Sequence, residues 1–327
     1  MTEPVLAGSA QTRQASRSQV PGPDVFFVGA PKSGTTALAH YLSSHPELFV
    51  AAKELLYFGS DLDIRTRRGL PWRITWPDYL AWFADADRAK HRIDRSVFYL
   101  YSTQAASEIH AYRPDSRILI MLRNPVDQMH SQHAEMVFQG EEDIEDFEVA
   151  LYAEEERVQG RRIPPACQKA FGLYYRRLAR YSKQVERYLT QFGREQVLVL
   201  LYEDLASDPS SVYRQALGFL GLSDAHQPAF AVVNSNKVVW SPTVRSVLRS
   251  TSPRLRRAGR MVVPHPRARA ALRRRLQSLN TRHAPRRRLD ETPRRQLLTE
   301  FAEDIHALED LLHRDLSRWF SGTRPGS

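Results

Sequence analysis

A single cysteine, Cys167, in 327 residues rules out an internal disulfide framework and cannot form a zinc site by itself. Long apolar runs are missing as well: no stretch approaches the roughly 20 residues of a membrane helix. The first 23 residues have no apolar core of a signal peptide. Small, polar and rich in Ser, Gln, Arg and Pro, they read as a disordered leader. No internal repeat is visible. A soluble cytoplasmic protein is the simplest expectation. Acidic residues are the scarcer charge, 37 against 47 Lys and Arg, and the net charge of +10 favours anionic partners.

What is present suits one large α/β domain, expected over residues 24–320, since 42% of residues are hydrophobic and a real core is available. "DVFFVG" is continuously apolar, as a buried parallel strand should be. A helix is expected from about Thr35 to Ser44, ending before Pro46. "LFVA" and "LLYF" read as short extended pieces on either side of Lys53-Glu54, and "RIDRSV", "RILIML" and "QVLVLL" as further strands. Helices are expected near 103–112, after Pro125, from about Gln168 to Phe192, over "SSVYRQALGFLG" and from about 291 to 315. This alternation predicts a central parallel sheet flanked by helices. Trp76, Tyr79, Leu80 and Phe83 have the spacing of a core-facing helix stripe.

The chemistry concentrates first in "GAPKSGTT", between the first strand and its helix. Backbone amides at a glycine turn that opens a helix make an anion site, reinforced by the helix dipole. Pro31 fixes the turn, Gly34 permits close approach, and Ser33, Thr35 and Thr36 add hydroxyls. A nucleoside triphosphatase would end such a loop with Gly-Lys-Ser/Thr. Here the lysine, Lys32, precedes the glycine, so the far phosphates of a triphosphate would be poorly neutralised. A ligand with one phosphate and a less charged transferred group fits better. At the second site, Arg123 ends a buried strand at the carboxyl edge of the sheet, where open α/β folds bind ligands, and Ser131 lies about two turns into the next helix. A guanidinium and a hydroxyl so placed can grip a phosphate. A structural salt bridge is the bland alternative for Arg123.

These segments carry a resemblance. "PKSGTTAL" followed by "HPELF" resembles the 5′-phosphosulfate loop of the sulfotransferases that use 3′-phosphoadenosine 5′-phosphosulfate, PAPS. "RILIMLRNPVDQMHSQH" is similar to that family's 3′-phosphate segment, and "YEDL" at Tyr202 to Leu205 follows in family order. The resemblance spans roughly residues 24–205 and implies a P-loop-like, sulfotransferase-type α/β fold. It implies PAPS as co-substrate, adenosine 3′,5′-bisphosphate as product and no required metal. Lys32, Ser33, Gly34, Thr35 and Thr36 would hold the phosphosulfate, Arg123 and Ser131 the 3′-phosphate, and Tyr202 would lie near the adenine. "NSNKVVWSPTVRSVL" occupies the place of the family's late cofactor loop, where Lys237 and Arg245 could reach the 3′-phosphate; exposed basic residues explain both as well. Glu203 and Asp204 also suit a helix start.

"KELLYF" resembles the segment of the carbohydrate, heparan-sulfate-type branch whose glutamate is the catalytic base, which makes Glu54 the expected base and Lys32 its catalytic partner at the bridging oxygen. A surface Lys-Glu pair is the other reading. Leu56 stands where the family often has histidine, and Arg95-Ser96-Val97 where it often has Lys-Ser/Thr-Pro; Arg95 keeps the charge. His40, His45, His110 and His130 fall on helices or their ends and read as satisfied or exposed side chains. A basic helical part is expected from about 242 to 320; its Arg-rich stretch, residues 252–295, lacks the aromatics that single-strand recognition uses, and nucleic acid is not expected as a partner. Three functions remain open at this point: a sulfotransferase acting on a sugar, or on a glycosylated or lipidated metabolite, with O-sulfation preferred; a P-loop kinase; or a non-catalytic nucleotide- or polyanion-binding protein.

Overall fold

The structure, a computed structural model, describes residues 22–66, 69–86, 88–230, 237–239, 281–283 and 289–321. The expected leader lies outside the described residues except for its last two positions, as do residues 240–280 of the basic stretch, Arg245 among them.

The first strand, β1 (Val25–Gly29), is buried along its whole length. Its side chains alternate between two cores: Val25 and Phe27 face one, Phe26 and Val28 the other. The chain then runs through α1 (Thr35–Ser43), β2 (Leu48–Val50), α2 (Trp76–Ala81), β3 (His91–Arg95), α3 (Ala105–Tyr112), β4 (Arg117–Leu122) and α4 (Pro125–Gln139). After α5 (Phe147–Tyr152), α6 (Glu154–Val158), α7 (Tyr175–Ala179) and α8 (Ser182–Phe192) it returns as β5 (Val197–Leu201), followed by α9 (Tyr202–Ser207) and α10 (Pro209–Leu220). A two-stranded antiparallel ladder joins β6 (Lys237–Val239) to β7 (Thr281–His283), and α11 (Glu291–Leu312) follows.

Five strands form one parallel sheet in the order β2-β3-β1-β4-β5. α1 and α10 cover one face, while α3, α4, α8 and α11 contribute to the core on the other. Because both faces are covered, the strands read as apolar runs rather than alternating ones. From β1 the chain goes first to the β2 side and later crosses to β4, so the connections diverge beside β1 at the carboxyl edge. Open α/β sheets place their ligands in that crevice. Among the described residues, no helix is long and apolar enough to cross a membrane.

Three local expectations are corrected. The helix expected from Gln168 to Phe192 is broken into a 3-10 turn (Ala170–Leu173), α7 and α8, because distant carboxylates cap each new start. Glu154 accepts the amides of Arg176 and Arg177 at 2.8 and 3.0 Å, and Asp304 of α11 accepts that of Tyr181 at 2.8 Å. "LLYF" is not a strand: its amides bond to side-chain hydroxyls of the neighbouring segment instead. On α2 and just beyond it, Tyr79 and Phe83 are fully buried, but Trp76 is exposed and Leu80 only half-buried, so the core stripe is narrower than its spacing suggests.

Asn124 fastens the site to the rest of the fold. Its side chain caps α4, accepting from Val126 N at 3.0 Å and Asp127 N at 3.3 Å, and donates to the Trp319 carbonyl at 2.8 Å. Its own amide donates to Glu203 at 2.9 Å. Replacing it removes a helix cap and leaves a buried carbonyl unpaired. Asn124→Ala should lower the unfolding free energy by about 2 kcal/mol, read from the denaturant midpoint.

Candidate active site

The loop between β1 and α1 has a geometry that can hold an anion. Lys32 and Gly34 both have positive φ, 64° and 86°, which turns the loop backbone into a concave cup. Gly34 caps α1 without a side-chain bond, and the first amides of a helix have no carbonyl four residues earlier to bond. A Cβ at Gly34 would come within 2.8 Å of Tyr202 Cδ2, so only glycine fits between the loop and α9. Ser33 is fully buried and Thr35 nearly so, whereas Thr36 is exposed at the mouth. Arg95, at the end of β3, reaches Thr36 Oγ1 at 3.5 Å.

β4 and α4 close the other side. Arg123 leaves the end of β4, donates to the Lys32 carbonyl at 3.2 Å and stacks its guanidinium 4.3 Å from the Tyr202 ring centre. Its Nε is buried without a hydrogen-bond partner among the described residues. α4 touches the loop twice: Gln128 Nε2 donates to the Pro31 carbonyl at 3.1 Å, and Lys32 Nζ donates to Glu135 Oε2 at 2.8 Å. Ser131 lies three residues after Gln128 and four before Glu135, on the same helix face and nearly fully buried. The loop, Arg123, Ser131 and Tyr202 are thus brought together.

Glu54 follows β2 at the same sheet edge, two strands from β1. It is partly exposed, and its Oε2 lies 3.6 Å from Lys169 Nζ. The segment after it is held from beneath. Ser96 Oγ accepts the amides of Leu55 and Leu56, each at 3.1 Å, and Tyr99 Oη those of Tyr57 and Phe58 at 2.9 and 3.2 Å. Both hydroxyls donate to the fully buried carboxylate of Asp94, Ser96 at 2.7 Å and Tyr99 at 3.0 Å, and Tyr79 adds a third donor at 2.8 Å. Asp61, whose carboxyl accepts from Ser102 and Thr103 at the start of α3, is occupied as a cap. Burial raises its carboxyl, but those hydrogen bonds outweigh it and hold the group below the ordinary value.

Residues 23–226 match the profile of a family described as the sulfotransferase family. The chain belongs to that family. A crystal structure of a sulfotransferase from Alicyclobacillus acidocaldarius superposes with a TM-score of 0.66 at 31% identity, covering 91% of this chain and 99% of the other. Human heparan sulfate glucosamine 3-O-sulfotransferase 6 is 26% identical over 257 residues, 78% of this chain and 68% of that protein. Rat carbohydrate sulfotransferase 15 is 26% identical over 71% of this chain but only 49% of its own length. The carbohydrate-type resemblance and the sulfotransferase fold expected from the sequence both hold.

In this sulfotransferase, Lys237 lies on β6, described here by its backbone alone, and Arg245 lies outside the described residues. Glu203 and Asp204 do begin a helix, and both also act across the fold: Glu203 holds Asn124, and Asp204 pairs with Arg314 and Arg318 beyond α11. Four residues escaped the sequence reading. Glu135 was legible as the next helix turn after Ser131. Asp94 was legible as a carboxylate inside a strand of a sheet covered on both faces. Tyr99 and Lys169 carried no signal, because each reaches the site through tertiary packing.

Burial pushes the Asp94 carboxyl up to about 6, opposed by its three hydroxyl donors and aided by the nearby charge of Glu54. Between the ordinary value of 3.8 and about 6 the folded state therefore binds more protons than the unfolded chain. Stability from this group is greatest below 3.8 and declines as pH rises to about 6. Thermal unfolding of wild type and Asp94→Asn across that window should show the wild type losing on the order of 2–3 kcal/mol relative to the variant. Parallel pH profiles would refute the raised value.

Proposed function

We propose that this sulfotransferase moves the sulfuryl group of PAPS to an acceptor hydroxyl, with Glu54 as general base. The observation that carries the reading is the convergence of Lys32, Arg123 and the Ser131 face of α4 on the N-terminus of α1. The cup made by the positive φ values of Lys32 and Gly34, and the Nε of Arg123 that has no partner among the described residues, fit a ligand with anionic groups at both ends. In this reading the amides and hydroxyls of Ser33, Gly34, Thr35 and Thr36 hold the 5′-phosphosulfate. Arg123 and Ser131 take the 3′-phosphate, with Lys237 and Arg245 assisting, and Tyr202 lies beside the adenine. When bound, PAPS supplies an activated sulfuryl group with adenosine 3′,5′-bisphosphate as the leaving group.

The chain's own residues supply the rest. Glu54 accepts the proton of the attacking hydroxyl, and Lys32 meets the negative charge that develops on the bridging oxygen. Arg95, next to Thr36, steadies the acceptor side. A sulfuryl group carries less charge than a phosphoryl group, so a lysine suffices without magnesium. The acceptor is a hydroxyl of a sugar, or of a glycosylated or lipidated metabolite. Likeness to a relative named for 3-O-sulfation of heparan sulfate glucosamine supports the sugar.

Thermal shift tests the ligand. Adenosine 3′,5′-bisphosphate without metal, at about 100 times its Kd, should stabilise the protein by roughly 2.7 kcal/mol. A larger shift from ATP with magnesium would sink the reading.

Kinetics test the residues. Glu54→Gln keeps size and hydrogen bonding but cannot take the proton, so turnover should fall roughly 10²–10⁴-fold with bisphosphate affinity unchanged. Lys32→Ala should impair binding and turnover together. A Glu54→Gln enzyme with near-normal turnover would place the base elsewhere.

A further inference from the structure

The acidic hub under the Glu54 segment has a polarity that chemistry fixes. A hydroxyl has one proton, and once it is given to a carboxylate only its lone pairs remain for other partners. Ser96 and Tyr99 both give that proton to Asp94, so each must present acceptors to the backbone. The four amides they receive are consecutive, Leu55 to Phe58, and begin directly after Glu54. Leu56 has a φ of 50°, a left-handed conformation that a branched residue adopts only when its surroundings hold it. The segment is therefore not shaped by strand pairing or by its own propensity. It is hung from two hydroxyls that a single buried charge orients.

We propose that Asp94 is a positioning residue for Glu54, acting through Ser96 and Tyr99 on the backbone that carries the base. This rests on the reading of Glu54 as the base. Tyr79 completes the hub without touching the segment's amides and serves to hold Asp94 itself.

Replacing Asp94 strips three buried hydroxyls of their acceptor and endangers folding, so the relays are the cleaner variants. Ser96→Ala and Tyr99→Phe are each made in the wild-type and the Glu54→Gln background. Turnover, affinity for adenosine 3′,5′-bisphosphate and amide hydrogen exchange are measured in all. In the wild-type background each relay variant should lower kcat by roughly 10–100-fold, the cost of misplacing a catalytic group by about an ångström. Bisphosphate affinity should stay within about twofold, since the nucleotide loop is a separate contact set. In the Glu54→Gln background the same changes should cost less than about twofold in kcat, because residues acting as a unit are not additive. Exchange should quicken at Leu55 and Leu56 in Ser96→Ala, and at Tyr57 and Phe58 in Tyr99→Phe. Equal losses in both backgrounds would overturn the proposal, as would unchanged exchange at these amides. Near-normal turnover in Glu54→Gln alone would instead remove the base assignment on which it rests. The exchange data, which do not depend on catalysis, tell the two failures apart.

Discussion

β1 is paired on both edges and buried on both faces, and that confinement decides where chemistry can happen in this molecule. A strand with no free edge and no wet face can end only at the rim of the sheet. There the chain must turn sharply to start a helix that packs back on the same sheet. The turn at Lys32 to Gly34 leaves the opening amides of α1 without partners in the helix, next to the neighbouring strand ends. β3 delivers Arg95 to one side of that turn and β4 delivers Arg123 to the other, since they are the two strands that flank β1. The anion site follows from strand order as much as from any single residue.

Carboxylates do much of the bracing around this rim. Asp94 organises hydroxyls under the Glu54 segment, Glu203 holds the amide of Asn124, and Asp304 and Glu154 restart helices that would otherwise run on. Another, Glu142, is paired with Arg157 at 2.7 Å with both side chains fully buried, and Tyr175 donates to the same carboxylate. A buried ion pair of this kind adds little net stability over an apolar pair but is costly to break on one side. Its value here is geometric: it ties α6 and α7 to the segment that follows α4. Cys167, packed nearby, has its thiol pushed up to about 12 by burial and serves as a small apolar residue.

The sheet was largely legible from the sequence, because parallel strands covered on both faces must be continuously apolar and "DVFFVG", "RILIML" and "QVLVLL" are. The turn between β1 and α1 was legible for the opposite reason: its residues are too small and too polar for the apolar run that precedes them. Ser131 could be placed because helical spacing puts it within reach of the loop. What could not be read were contacts between residues far apart in the chain. Nothing local in "LLYF" says that its amides will leave a ladder for the hydroxyls of Ser96 and Tyr99, and nothing in "QKAFGLYY" says that Lys169 will face Glu54. The break in the helix expected from Gln168 was hidden likewise, since the carboxylate that caps Ser182 and Tyr181 belongs to α11, more than a hundred residues later.

The pairing of Lys32 with Glu135 gives the loop between β1 and α1 an internal counter-ion. On the proposed reading, an anion that draws on Lys32 competes with a tethered carboxylate, so its binding there is in part an exchange of partners rather than the filling of a bare positive pocket. A partly exposed pair of this kind is weak, about 1 kcal/mol or less, and a ligand with several further contacts displaces it readily. A side chain on α4 thereby fixes where the loop's lysine stands and answers its charge from within the fold.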